Sequence, residues 1–76
     1  MTLTDLSKKQ TGRINKISGP VALRQRLTAL GVLRGQPVRL SASALWGNPR
    51  TYYIGQQQIC LRNEDAVQVK VELCDG

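Results

Sequence analysis

The sequence contains no histidine and no phenylalanine. Without histidine, the side chain most often used to move protons near neutral pH is missing. Without phenylalanine, and with Trp46, Tyr52 and Tyr53 as the whole aromatic set, any core must be built from aliphatic side chains. Acid is scarce as well: the carboxylates are Asp5, Glu64, Asp65, Glu72 and Asp75. Only Glu64 and Asp65 adjoin, and neighbours in sequence point apart, so no carboxylate pair is placed for acid–base work. Cys60 and Cys74 stand alone with no CxxC spacing, and a cysteine-based zinc site would lack two of its four usual ligands. Seven glycines are present, yet none falls in a Walker A loop or a GxGxxG run. Serine and threonine have no base to activate them. Together these absences argue against an enzyme, a metal site or a cofactor.

Segments that would take the chain into or across a membrane are missing too. Met1-Thr2-Leu3-Thr4-Asp5-Leu6 has no basic stretch followed by an apolar one, so no signal peptide is visible. No apolar run approaches transmembrane length. The expectation is a cytoplasmic protein without membrane insertion, in which Cys60 and Cys74 are free thiols. A disulfide between them would require their strands to be neighbours.

What is present is one domain over residues 1–76, near the lower size limit for a core without staples. The net charge of +6 suits an acidic partner: nucleic acid, an anionic membrane or an acidic protein surface. The basic residues are scattered, with no run longer than Lys8-Lys9, and that pattern favours a solvated basic surface.

Leu3 and Leu6 anchor a polar lead-in. Thr11 to Ser18 reads as a strand in which Ile14 and Ile17, three apart, share a face only if a bulge or turn follows Ile14. Ser18-Gly19-Pro20 opens a helix, with Pro20 at its first position and Ser18 or Gly19 as cap. Over Pro20 to Leu30 the residues Leu23, Leu27 and Leu30 recur at i, i+4 and i+7, one apolar face. Gly31 suits the left-handed C′ position, which pairs Leu27 with Val32 in a Schellman ending. Gly35 and Pro37 then turn the chain into a strand over Val38 to Ala44. Leu45-Trp46-Gly47-Asn48-Pro49 is a turn by composition. Arg50 to Ile54 and Gln57 to Arg62 form a hairpin, with Tyr52 and Ile54 on one face of the first strand, Thr51 and Tyr53 on the other, and Ile59 and Leu61 sharing a face of the second. Asn63 to Ala66 fits one helical turn, and Val67, Val69, Val71 and Leu73 alternate along a last strand.

About five short strands and one helix between strands one and two indicate a mostly β fold, a small barrel. Short hairpins and the early helix favour an SH3-like over an OB-like version. Several motifs in order resemble the ferrous iron transport protein A family: Gly12-x-Ile14-x-x-Ile17, Arg24-Gln25-Arg26-Leu27-x-x-Leu30-Gly31-Val32-Leu33-x-Gly35, Val38, Gly47-Asn48-Pro49, Leu61-Arg62-x-x-Asp65-Ala66 and Val69-x-Val71. The chain departs from the family pattern at Arg34, where Pro is common, and at Asn48, where Asp is common. The second departure removes a negative charge from the loop beside Trp46.

The resemblance implies a cytosolic SH3-like barrel that assists ferrous iron uptake by contact with the permease ferrous iron transport protein B, a membrane protein with a cytosolic GTP-binding domain. It implies no catalysis and no cofactor. Candidate contact residues are Trp46, Leu45, Leu33, Arg24, Arg34, Arg50 and Tyr53. Trp is enriched in binding hot spots, and Trp46 serves equally well as a cap on an open barrel end. Leu33 and Leu45 fall in loops, with core packing the better reading of Leu33. The three arginines suit the rim of a site for an acidic surface, and Tyr53 a groove wall. A small basic barrel that binds nucleic acid by stacking on Trp46 or Tyr53 is the alternative; the basic residues do not cluster with the aromatics as such sites require, and no nucleic-acid partner is expected. Direct iron carriage is disfavoured by the lack of imidazole and the few carboxylates. A homo-oligomer is compatible with the sequence.

Overall fold

In a computed structural model of the chain, residues 1–43 and 47–74 are described. A short 3-10 turn, Leu3–Asp5, precedes β1 (Thr11–Ile17), α1 (Val21–Ala29), β2 (Pro37–Ser43), β3 (Arg50–Ile54), β4 (Gln57–Leu61), α2 (Asn63–Ala66) and β5 (Val69–Leu73). The strands are antiparallel, in the order β4-β3-β2-β1-β5. Each sends alternate side chains to one shared interior: Ile14 from β1, Val38 and Leu40 from β2, Tyr52 and Ile54 from β3, Ile59 and Leu61 from β4, Val69 and Val71 from β5. Leu3, Leu6, Leu27, Val32 and Ala66 complete that core. A single sheet whose five strands all feed one core must curl around it, and this is the small SH3-like barrel expected from the sequence. The outer edge of β5 is taken by the N-terminus, where the Val71 N–H donates to the Met1 carbonyl at 2.9 Å and Thr2 bridges Lys70. Covering an edge in this way removes a template for mispairing.

The spacing of Ile14 and Ile17 resolves as a bulge. Ile14 pairs with Val71 and Lys16 with Lys70, so Asn15 is the extra residue. Ile14 is buried, and Ile17 packs against the core from its edge. Gly12, two residues earlier, permits the close approach of β5. A Cβ there would lie 2.7 Å from the Glu72 carbonyl oxygen.

Helix α1 ends as the residues require. Gly31 has φ +99°, the Val32 N–H donates to the Leu27 carbonyl at 3.0 Å and the Gly31 N–H to Thr28 at 3.0 Å. These are the two bonds of a Schellman motif, and its apolar pair, Leu27 and Val32, is fully buried. Three details differ from expectation. Pro20 is the N-cap rather than the first helical residue, with its carbonyl accepting the Arg24 N–H. No side chain caps the helix, and Ser18 instead donates its N–H to the Gln68 carbonyl. Leu30 is 46% exposed, because the chain reverses at Gly31 and Val32, not Leu30, takes the interior place. Along β5 only Val69 and Val71 face inward. Val67 lies in the turn before the strand and Leu73 at its far end, opposite Gly12, and both are exposed.

Candidate functional site: a basic cleft beside helix α1

Three segments meet beside α1 and leave a cleft between them. The bulge in β1 leaves Asn15 and Lys16 side by side on the exterior. Helix α1 exposes Arg24 and Thr28, one turn apart on the same face, and the Thr28 hydroxyl donates to the Arg24 carbonyl at 2.8 Å. Past the Schellman ending, Val32 turns in while Leu33 and Arg34 turn out. This turn is laced to β1: the Gly35 N–H donates to the Ile14 carbonyl at 2.7 Å, the Ile14 N–H to Gln36 at 3.0 Å, and Arg13 Nη1 to Gly35 at 2.9 Å. Its position relative to the strand is therefore fixed by backbone bonds.

The resulting cleft has a volume of about 590 Å³. Ile17, Val32 and Leu33 give it an apolar lining, and Lys16, Arg24 and Arg34 its charge. Among the described residues no carboxylate lines it. Asp65 is spent on Arg26 at 3.1 Å, Glu64 lies 3.8 Å from Arg62, and Asp5 accepts the Thr2 N–H at 2.9 Å. Lys16, Arg24 and Arg34 thus have no ion-pair partner among the described residues. A concave surface lined by one sign of charge concentrates the potential for an oppositely charged partner. With three cations, an amide, a hydroxyl and aliphatic carbons, this cleft has the means to bind.

Of the residues singled out from sequence, Arg24, Leu33 and Arg34 meet here. Leu33 is 42% exposed, a cleft residue rather than a core one. Tyr53 is elsewhere, on the outward face of β3 beneath the Arg39 guanidinium, 4.2 Å from the ring centre. It borders a second cleft of about 230 Å³ with Thr11 and Pro37. Arg50 is half-buried and committed to the fold, its Nε donating to the Gly47 carbonyl at 3.1 Å and its Nη1 to Thr4 at 2.9 Å. Leu45 and Trp46 lie outside the described residues. Lys16, Ile17, Thr28 and Val32 join the cleft without having been singled out. The signal for Lys16 was the odd spacing of Ile14 and Ile17, which forces a bulge and turns two successive residues outward.

Cys60 and Cys74 are exposed free thiols. Among the described residues no three cysteines and carboxylates gather as metal ligands. The Tyr52 hydroxyl is buried without a hydrogen-bond partner; burial pushes its pKa up, and the nearby Arg50 charge opposes the rise.

A family model described as the FeoA domain matches residues 1–73. Among solved structures, the chain is similar to iron(II) transport protein A from Clostridium thermocellum, with 27% identity and a TM-score of 0.89 over 96% of this chain. It spans 45% of that protein's length. It is also similar to FeoA from Stenotrophomonas maltophilia, at 28% identity and a TM-score of 0.76, covering 95% of this chain and 89% of that one. That protein, solved with zinc, is described as a procaryotic SH3 domain protein and a candidate bacterial ferrous iron transport activating factor. The FeoA protein from Chlorobium tepidum, 24% identical with a TM-score of 0.90, shares the fold over 100% of this chain and 72% of its own. No curated protein matches.

Proposed function

The chain belongs to the FeoA domain family, and on that premise we propose that it is a cytoplasmic accessory protein of bacterial ferrous iron uptake. It acts by protein–protein contact with the GTP-binding domain of the membrane permease ferrous iron transport protein B, and performs no catalysis of its own. The observation that carries this reading is the basic cleft: Lys16, Arg24 and Arg34, unpaired among the described residues, surround an exposed Leu33. Such a surface binds a partner but has no general base or ligand set with which to transform or hold a substrate. None of the described helices is long and apolar enough to cross a membrane, which accords with a role beside a separate permease. The similarity to a candidate transport activating factor supports the same role. The nucleic-acid alternative is weaker, because among the described residues no aromatic ring lines the cleft on which a base could stack.

Uptake of radiolabelled ferrous iron by cells lacking this chain tests the role. Loss of uptake, restored by the wild-type chain and not by an Arg24→Glu, Arg34→Glu double variant of equal abundance, is the expected outcome. Unchanged uptake in the deleted strain would overturn it.

A further inference from the structure

We infer that the cleft between β1, α1 and the turn before β2 is the seat of an acidic peptide segment of the partner protein, one that carries an aliphatic side chain among its carboxylates. This rests on the accessory role proposed above and names the chemistry that the site recognises. Charge complementarity commits the occupant. Lys16, Arg24 and Arg34 line one concavity, and the carboxylates of Asp5, Glu64 and Asp65 are engaged elsewhere. Lys16 also stands directly opposite Lys70 across the β1–β5 ladder. Like charges so placed oppose pairing, and an anionic segment lying along this end of the ladder relieves both. Arg24 and Arg34 present planar guanidinium forks, which match carboxylates with two parallel hydrogen bonds.

The apolar part of the cleft sets the second requirement. Ile17 packs at the edge of the core, Val32 is fully buried, and Leu33 stands 42% exposed beside the cations. A purely ionic ligand would leave Leu33 in water. An aliphatic side chain laid against Ile17 and Leu33 removes that surface, at a gain of roughly 25 cal/mol for each Å² covered. Free phosphate fits less well, because it has no apolar group to set against Ile17 and the exposed Leu33. Nucleic acid fits less well because no lining side chain among the described residues is aromatic.

The test uses the intact protein and a short synthetic peptide of Glu and Asp with one central Leu. Its companions are the same peptide with Leu replaced by Ser, a Lys-for-Glu version, inorganic phosphate and a mixed oligonucleotide. Backbone amide signals of the labelled protein are followed by NMR. The acidic Leu peptide is expected to shift Lys16, Thr28, Leu33 and Arg34 saturably. The Ser version should bind more weakly, and the Lys version not at all. Arg24→Glu and Arg34→Glu, both at exposed positions, should each weaken binding about tenfold, whereas Arg39→Glu, beside Tyr53 and outside the cleft lining, should not. No shift in the cleft, equal binding of the Leu and Ser peptides, or an equal response to phosphate or the oligonucleotide would overturn the inference. The two readings fail separately. If the permease domain binds but leaves the cleft signals unmoved, only the acidic-segment inference falls. If the peptide binds in the cleft while iron uptake does not depend on the chain, only the transport role falls.

Discussion

Among the described residues Tyr52 is the largest fully buried side chain, and its hydroxyl ends in the interior with no hydrogen-bond partner. A buried hydroxyl left unpaired costs about 1–3 kcal/mol. Tyr52→Phe should therefore leave stability unchanged or raise it by up to about 1 kcal/mol, measured by urea unfolding. The ring stays in place and the Arg50 bonds to Thr4 and Gly47 do not involve the hydroxyl. The same group gives a pH signature. Its folded pKa lies above 10.0, so the unfolded chain gives up this proton first as pH rises. Below 10.0 both states hold the proton and pH has no effect through this group; between there and the higher folded value stability falls. Wild-type protein should lose stability over that alkaline range more steeply than Tyr52→Phe. Coincident alkaline profiles would show that the hydroxyl titrates alike in both states.

The elements α1 and α2 show how local chemistry places the cleft. Gly31 has φ +99°, and a Cβ there would also come within 3.1 Å of Gln57 Oε1. Gly31→Ala should destabilise by at least about 1–2 kcal/mol in thermal unfolding. It should also perturb the Leu33–Arg34 side of the cleft, since the Schellman turn aims those residues outward. Helix α2 has no cap from its own N-terminal residues. Asn48 supplies one from across the loop, its Oδ1 accepting the Asn63 N–H at 3.0 Å. Asn48→Ala should cost about 0.5–2 kcal/mol, while Asn48→Asp keeps the acceptor and should cost less. The helix ending, the irregularity after Ile14, the hairpin and the alternation of faces along the strands were legible in the sequence, because each depends on residues a few positions apart. Leu30, Val67 and Leu73 were not. Their apolar periodicity is real, but each sits at the end of its element, where the chain's next turn decides burial. Arg24, Leu33 and Arg34 could be named from the sequence, but their meeting with Lys16 depends on a strand pairing that no local pattern states.

At the scale of the whole molecule, the net charge of +6 does not by itself distinguish a solvated surface from a site. Folding makes the distinction. It pairs Arg26 and Arg62 with the two neighbouring carboxylates Asp65 and Glu64, turns Arg50 inward, lays Arg39 on Tyr53, and leaves Lys16, Arg24 and Arg34 around one cleft. Association through that cleft should weaken as ionic strength rises, mainly through a slower on-rate, because exposed charges are screened over about 8 Å at physiological salt. A salt-independent on-rate would point to apolar docking alone. The most direct test of the account is an NMR titration of the labelled protein with the soluble GTP-binding domain of the cognate permease. The account predicts saturable shifts centred on Lys16, Arg24, Thr28, Leu33 and Arg34, abolished by Arg24→Glu with Arg34→Glu. No shift at all, or shifts confined to the Arg39–Tyr53 face, would contradict it.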